Sequence, residues 1–237
     1  MRLSKKQKIS LAAAVVGGMA LTGFLYLRTS PKQTVTSPVP VTIINEAIAS
    51  EADPKPAYVN YISLNDSEHS QRHRQQLKTL QSTGSLTGAM SVQFKQATHA
   101  KMSYRFGRKK PTVFVPAPLN ELVPLGFVLT GREYDDPMAD GVYRTIYRLF
   151  ERPDTKQRIE VFETGIDAAQ PLLRIKELQN QQVLGVPMQL ERFVGKKSVI
   201  YYSAEIIIKD RLYQINTKGV EQAELMAFIE RLIIAEQ

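Results

Sequence analysis

The 237-residue chain contains no cysteine and no tryptophan, and it has only three histidines. Without cysteine the chain has no disulfide, no thiolate metal site and no cysteine nucleophile. His69, His73 and His99 all precede the segment that we expect to form most of the core, which leaves little material for a zinc site. If the protein is exported, its stability therefore depends on the hydrophobic core alone.

Catalytic and nucleotide-binding motifs are also missing. The sequence has no G-x-S-x-G, no G-x-G-x-x-G and no P-loop. The acidic pairs Glu160 with Glu163 and Glu191 with Glu205 are typical of surface strands rather than of an acid and base pair. The aspartates of the segment 134–141 do not follow the alternating ligand pattern of a calcium loop. We therefore expect no enzyme, no catalytic residue, no metal and no cofactor.

Acidic residues are scarce in one half of the chain. Residues 1–111 carry 16 Lys and Arg against 5 Asp and Glu, whereas residues 112–237 carry 15 against 18. The net charge of +8 therefore describes neither half. A basic half followed by a mildly acidic half indicates that the two parts meet different surroundings.

Long apolar runs are absent except at residues 9–27, which contain no charged side chain. Four basic residues precede this run and Arg28 follows it. As a helix it is roughly 28 Å long, which matches the hydrocarbon core of a bilayer. A cleaved signal peptide usually has a shorter apolar region and a small-x-small cleavage site, which this sequence lacks. The pattern favours an uncleaved anchor with its N-terminus in the cytoplasm.

This anchor divides the chain into four expected segments. They are a basic cytoplasmic tail at 1–8, a transmembrane signal-anchor at 9–27, an extended and partly disordered spacer at 28–85, and an extracytoplasmic α+β domain at 86–237. Within the spacer, residues 66–81 predict either a solvated helix or disorder, because only Leu77 and Leu80 are apolar there.

Basic residues accumulate between His69 and Pro111 without a single acid. Three interpretations remain open: attraction to anionic lipid or wall polymer, docking onto an acidic partner, and a solvated basic strand face. We expect no nucleic acid, because this segment faces away from the cytoplasm. The candidate residues for anionic-surface binding are Arg72, Arg74, Lys78, Lys95, Lys101, Arg105, Arg108, Lys109 and Lys110.

The second half of the chain alternates apolar and polar residues with a period of two, which predicts strands. The expected strands are 142–150, 158–163, 183–194, 198–209 and 211–216, with a shorter one at 112–115. The segment 220–235 instead has apolar residues at helical spacing, wide enough to cover a sheet. This order predicts an α+β fold, a mostly antiparallel sheet packed by a C-terminal amphipathic helix.

The tyrosines of these strands have two interpretations. They line a groove for a lipid, glycan or peptide, or they pack in the core and across strands, which is the commoner role of strand tyrosines. The groove candidates are Tyr143, Tyr147, Tyr202 and Tyr213.

Three local patterns carry a resemblance: Pro-Leu-Gly-Phe-Val-Leu at 124–129, the tyrosine-rich strand 143–150, and Leu-Tyr-Gln-Ile at 212–215 before the final helix. Over about 112–235 the sequence resembles an extracytoplasmic domain of unknown function associated with membrane-anchored anti-sigma-factor-type proteins. It is also similar in outline to the C-terminal domain of the periplasmic regulator of sigma-E. Such domains often carry a tryptophan in the penultimate strand, and here there is none.

The resemblance implies a sensing or partner-binding module. Only eight residues precede the apolar run, so direct sequestration of a sigma factor is not expected. We therefore expect a membrane-anchored extracytoplasmic binding or sensing domain with a regulatory role at the cell envelope and a membrane or envelope protein as partner. The alternative is a structural or assembly component of an envelope complex, which contacts lipid or wall polymer through the basic stretch.

Overall fold

Seven antiparallel strands form the main sheet of the computed structural model, which describes residues 58–87 and 109–237. The elements are β1 (Val59–Ile62), α1 (Ser70–Thr83), α2 (Leu119–Leu122), β2 (Val128–Pro137), β3 (Tyr143–Arg152), β4 (Gln157–Gly165), β5 (Leu172–Ile175), β6 (Gln181–Val183), β7 (Val186–Val194), β8 (Ile200–Ile208), β9 (Arg211–Lys218) and α3 (Gln222–Ala235). The strand order of the main sheet is β2-β3-β4-β9-β8-β7-β6, and a separate parallel pair joins β1 to β5. The predicted α+β class, the mostly antiparallel sheet and the C-terminal helix are confirmed.

The two faces of the sheet differ because side chains alternate along each strand. One face, here called the helix face, carries a continuous apolar set that packs against α3. Its members include Phe150, Ile159, Ile206, Ile215 and the helix residue Phe228. The opposite face, here called the polar face, carries Glu160, Ser203, Glu205, Gln214 and Asn216 on the central strands. Burial of the helix face supplies most of the hydrophobic stabilisation.

The helix α3 follows β9 after a sharp turn. Gly219 adopts φ +67°, a left-handed conformation that suits glycine at this turn. The helix then begins at Gln222, with Glu221 at the N-cap. Its last turns are fixed to α2, because the Arg231 Nε donates a hydrogen bond to the Leu122 carbonyl at 2.8 Å.

The strand that the pattern predicts at 183–194 is a hairpin. Leu184 and Gly185 both have positive φ, so the chain reverses there and β6 pairs with β7. The strand predicted at 112–115 is also not formed, since only Thr112 makes a bridge, to Tyr143. In that segment Thr112 Oγ1 instead donates a local hydrogen bond to the Phe114 carbonyl at 2.6 Å.

Residues 58–85 belong to the range that the sequence assigns to the spacer, and here they contain β1 and α1. β1 pairs with β5 from Val59↔Leu172 to Ile62↔Ile175. Leu64, Ile175 and Leu178 form a small apolar cluster with the neighbouring Leu77 and Leu86. The described residues belong to one compact unit that begins at Pro56.

In residues 58–87 and 109–237 there is no helix with the length and apolar character needed to cross a bilayer. The predicted signal-anchor at 9–27 lies outside the described residues.

Candidate functional site

The predicted anionic-surface residues divide into two groups. Lys95, Lys101, Arg105 and Arg108 lie outside the described residues. The others are exposed: Arg72, Arg74 and Lys78 on α1, and Lys109 and Lys110 before Thr112. Arg74 and Lys78 are four residues apart and share one side of α1, whereas Arg72 points to another side. The helix therefore does not gather its three cations on one side.

Arg74 and Lys110 have local partners. The Arg74 Nη2 donates to the Asn65 Oδ1 at 2.9 Å. The Lys110 Nζ donates to the Tyr143 hydroxyl at 2.8 Å and lies 4.4 Å from the centroid of the same ring. Both contacts are at exposed positions, so they are weak and leave the charges accessible to solvent.

The structure does not bring the groove tyrosines together. Tyr202 and Tyr213 are buried in the core beneath α3. Tyr147 packs against Phe162, the residue opposite it on β4, with ring centroids 4.7 Å apart. By strand alternation, that pair is on the polar face. Tyr143 is half-buried at the start of β3 and contacts Tyr134 and Lys110.

An open cleft of about 600 Å³ lies beside the β6–β7 hairpin. We call it the amide cleft because half of its lining residues carry side-chain amides. The lining consists of Tyr61, Lys176, Gln179, Asn180, Gln181, Gln182, Gly185 and Pro187. Tyr61 comes from β1, and the rest comes from the segment that runs from the end of β5 through the hairpin.

Two of the amides hold the cleft in shape. The Asn180 side chain bonds both backbone groups of Leu190, as a residue of a neighbouring strand would. Its Oδ1 accepts from the Leu190 N–H at 2.7 Å, and its Nδ2 donates to the Leu190 carbonyl at 2.8 Å. The Gln179 Nε2 reaches the Ile175 carbonyl at 3.5 Å, across the short 3₁₀ turn Lys176–Leu178. The wall of the cleft is thus tied to β7 and to the end of β5.

Other lining groups retain their hydrogen-bonding capacity. Within residues 58–87 and 109–237, the Gln181 and Gln182 amides, the Tyr61 hydroxyl and the Lys176 ammonium make no hydrogen bond. Both glutamines are exposed on the edge strand β6. Burial raises the pKa of Tyr61, so its hydroxyl remains a neutral donor and acceptor at physiological pH. These groups together offer donors and acceptors to a polar ligand.

A buried ionic cluster lies at one end of the helix face. Glu163 on β4 is 0% exposed and is paired with Arg148 of β3 and with Arg211 of β9. The Arg211 Nη1 contacts Glu163 at 3.0 Å and Glu236, after α3, at 2.8 Å. We call Arg148, Glu163, Arg211 and Glu236 the Glu163 cluster.

Backbone groups complete the cluster. The Ala117 N–H donates to Glu163 at 3.1 Å, while the Ala117 carbonyl accepts from the Arg148 Nη1 at 2.5 Å. The Tyr213 hydroxyl donates to Glu163 at 3.2 Å, and burial, with the nearby carboxylates, raises the pKa of Tyr213. Every member is thus engaged in ion pairs or hydrogen bonds. The arrangement joins β3, β4, β9, the loop before α2 and the C-terminus of α3.

A second buried carboxylate lies on the polar face. Glu160 is 5% exposed, and its nearest cation is the Arg158 Nη1 at 3.6 Å, which is longer than a hydrogen bond. Arg158 also pairs with Glu151 at 3.2 Å. Burial raises the pKa of Glu160 to about 7, although Arg158 opposes this shift. Glu160 therefore titrates near neutral pH.

The remaining acidic candidates are engaged locally. Glu160 and Glu163 lie on opposite faces of β4, because they are three positions apart and side chains alternate along a strand. Glu191 accepts from the Leu86 N–H at 2.7 Å, and Glu205 pairs with the Arg174 Nε at 2.7 Å. In the part of the chain that the structure describes, no three His, Asp or Glu side chains converge as a metal site.

Comparisons with protein families, with curated proteins and with solved structures found no match to this chain. The resemblance to the anti-sigma-factor-associated domain therefore stays a prediction. The amide cleft and the Glu163 cluster were not predicted from the sequence. Most of the cleft lining comes from residues 170–182, whose Gln and Leu content has no clear period.

Proposed function

We propose that the protein is a single-pass membrane-anchored domain that binds a partner or ligand on the extracytoplasmic side and has a regulatory role at the cell envelope. The observation that carries this proposal is the charge-free apolar run at 9–27 with its basic N-terminal flank. The anchor places the small N-terminal tail in the cytoplasm and the remaining residues outside. The domain then serves by binding rather than by catalysis.

The distribution of polar groups supports binding. The buried charges of the Glu163 cluster are paired with one another, and Glu191 and Glu205 are held by Leu86 and Arg174. By contrast, four groups of the amide cleft make no hydrogen bond within the described residues: the Gln181 and Gln182 amides, the Tyr61 hydroxyl and the Lys176 ammonium. A preformed concave surface with a few available polar groups is typical of a ligand site.

Arginine at both Val15 and Val16 is expected to prevent stable insertion of the anchor. Each arginine at the centre of a membrane helix costs about 2.5–3.5 kcal/mol on insertion scales. We expect wild-type protein in the carbonate-resistant membrane fraction and the double variant in the soluble or aggregated fraction. A matched control places arginine at Val35 and Val39, outside the apolar run. Equal membrane retention of both variants contradicts the proposed anchor.

The partner is sought by crosslinking the full-length protein in its native membrane, followed by mild-detergent purification and mass spectrometry. A stoichiometric membrane or envelope protein supports the regulatory proposal. A protein that purifies alone turns the search towards a non-protein envelope ligand. External protease that leaves the bulk of the chain intact in sealed cells contradicts the extracytoplasmic placement.

The alternative function, a structural component that contacts anionic lipid or wall polymer, is favoured by the acid-free basic stretch. Replacing Lys95, Lys101 and Arg105 together by glutamate is expected to weaken vesicle binding about a hundredfold, since each cation near an anionic surface contributes about 1 kcal/mol. The measurement uses a fragment that starts at Pro56, where the compact unit begins, and vesicles that contain phosphatidylglycerol. The control reverses three exposed lysines elsewhere, Lys156, Lys176 and Lys197. Equal binding of the two triple variants removes this alternative.

A further inference from the structure

We propose that the amide cleft is a saccharide-binding site, which takes a short polyhydroxylated segment against Tyr61, Gln181 and Gln182. This inference specifies the ligand class of the envelope-binding domain and in that respect rests on the proposed function. The cleft residues themselves, however, are defined by the fold alone.

The available groups match a sugar in chemical type. A sugar hydroxyl both donates and accepts, and a glutamine amide offers two donors and an acceptor in one plane. Gln181 and Gln182 are adjacent on β6, so their side chains leave the strand on opposite sides, and both residues line the cleft at this edge of the sheet. Tyr61 of β1 adds a neutral hydroxyl and an aromatic ring to the lining. Amphipathic groups of this kind suit a ligand that has apolar C–H faces and a polar rim.

A peptide strand fits this edge poorly. β6 has only three residues, and alternate residues of an edge strand turn their backbone groups outward, so very few backbone bonds are offered. Further along β7, the edge is already occupied: Asn180 pairs with Leu190, and the Gly84 carbonyl accepts from the Arg192 N–H at 2.7 Å. The hairpin is thus closed to strand addition, as protected edge strands usually are.

An anionic lipid or polyphosphate also fits poorly. Among the lining residues Lys176 is the single cation, and the acidic Glu177 follows it in the chain. Phosphate recognition usually needs several cations or a bidentate arginine. One lysine beside several amides instead suits a ligand that is neutral or carries an isolated carboxylate, as uronic and other acidic sugars do.

The cleft is also held rigid, which lowers the cost of binding. Asn180 fixes the wall of the cleft to β7 through two hydrogen bonds. The positive φ values of Leu184 and Gly185 set the hairpin turn at one end. Arg174, the neighbour of Tyr61 in the β1–β5 pair, makes an ion pair with Glu205 at 2.7 Å that joins β5 to β8. The side chains that are free to bond therefore stand on a fixed frame.

The test is a titration of the ¹⁵N-labelled full-length chain with chitotetraose and with tetragalacturonate, followed by NMR of the side-chain amides. The detergent is lauryldimethylamine oxide, because maltoside and glucoside detergents would compete for the cleft. We expect saturable shifts at Gln181 and Gln182 with at least one of the two probes. The double variant Gln181→Ala/Gln182→Ala is expected to bind about tenfold more weakly, from the loss of at least two hydrogen bonds.

The matched control is Gln71→Ala/Gln81→Ala, which removes two exposed glutamines from α1, outside the cleft. Its affinity is expected to equal that of the wild type. The proposal is overturned if neither probe binds, if the shifts lie elsewhere, or if the two double variants weaken binding equally. Saccharide binding by a chain that proves not to be membrane-inserted keeps this inference and removes the proposed function. A membrane-inserted chain that has a protein partner and binds no saccharide keeps the proposed function and removes this inference.

Discussion

The variant Glu163→Gln is expected to lower the free energy of unfolding by about 3–5 kcal/mol, the usual cost of removing one partner from a buried ion pair. Glu163 is fully buried and is the common partner of Arg148 and Arg211. Glutamine keeps the size of the side chain but removes the charge, so Arg148 is left buried without its carboxylate. The loss is large because a buried uncompensated charge cannot be solvated.

The measurement is pulse proteolysis of the full-length protein in a urea series, in mild detergent. Glu230→Gln is the matched control, because Glu230 is exposed on α3, and we expect it to change stability by less than about 0.5 kcal/mol. The double variant Arg148→Met/Glu163→Met is expected to recover part of the loss, since apolar pairs often replace buried ion pairs well. If Glu163→Gln matches Glu230→Gln, the cluster does not stabilise the fold.

Strand alternation in the sequence indicates part of the Glu163 cluster. Ile159, Val161 and Glu163 occupy one face of β4, and Arg148 lies between Ile146 and Phe150 on the same face of β3. Opposite charges on the apolar faces of neighbouring strands indicate a buried pair. What alternation cannot supply is the strand order: Arg211 joins the cluster because β9 pairs with β4 across 45 intervening residues.

The fold class was predictable because it rests on strong local patterns. Period-two alternation identifies β3, β4, β8 and β9, and the apolar stripe of α3 marks the helix that covers them. The β6–β7 turn was missed because Leu184-Gly185 lacks the Asn-Gly or Asp-Gly signal of a tight hairpin, and Leu184 takes positive φ without that signal. The surrounding sheet, rather than local preference, imposes this conformation.

The candidate site was much less predictable, since it depends on distant segments. Tyr61 and the hairpin are more than a hundred residues apart, and they meet because β1 pairs with β5 and β5 leads into the cleft wall. The tyrosines of β3, β8 and β9 attracted attention as a group, but alternation and packing direct them to different surroundings. Composition shows which residue types the chain contains, whereas a site requires that particular residues lie close together in the fold.

If the proposed binding site is correct, stabilisation of the fold and ligand binding belong to two different regions of the domain. The Glu163 cluster and the core under α3 fix the sheet, and in them the buried charges are paired. The amide cleft, at the far edge of the sheet, keeps exposed polar groups available. A ligand that binds the cleft contacts β1 and the β6–β7 hairpin together, so we expect it to stabilise their mutual position.

The stability of the protein is expected to fall as the pH rises from about 4.5 to about 7, through the titration of Glu160. Burial raises the pKa of Glu160 to about 7 in the folded chain, whereas an unfolded chain has the ordinary value of 4.5. Between these values the folded state holds the proton more tightly than the unfolded state. The folded state therefore loses stability as the proton leaves, by roughly 3 kcal/mol in total.

The variant Glu160→Gln stays neutral at every pH and should lack this loss. Relative to the wild type, we expect it to be similar in stability at pH 5 and more stable at pH 8, by roughly 2–3 kcal/mol. Urea pulse proteolysis at pH 5, 6, 7 and 8 gives the difference, and Glu230→Gln is the control for a carboxylate lost at an exposed site. A difference between Glu160→Gln and the wild type that does not grow with pH would mean that Arg158 keeps Glu160 ionised in the folded state. In that case Glu160 is the carboxylate of a structural ion pair on the polar face of the sheet, and it does not titrate near neutral pH.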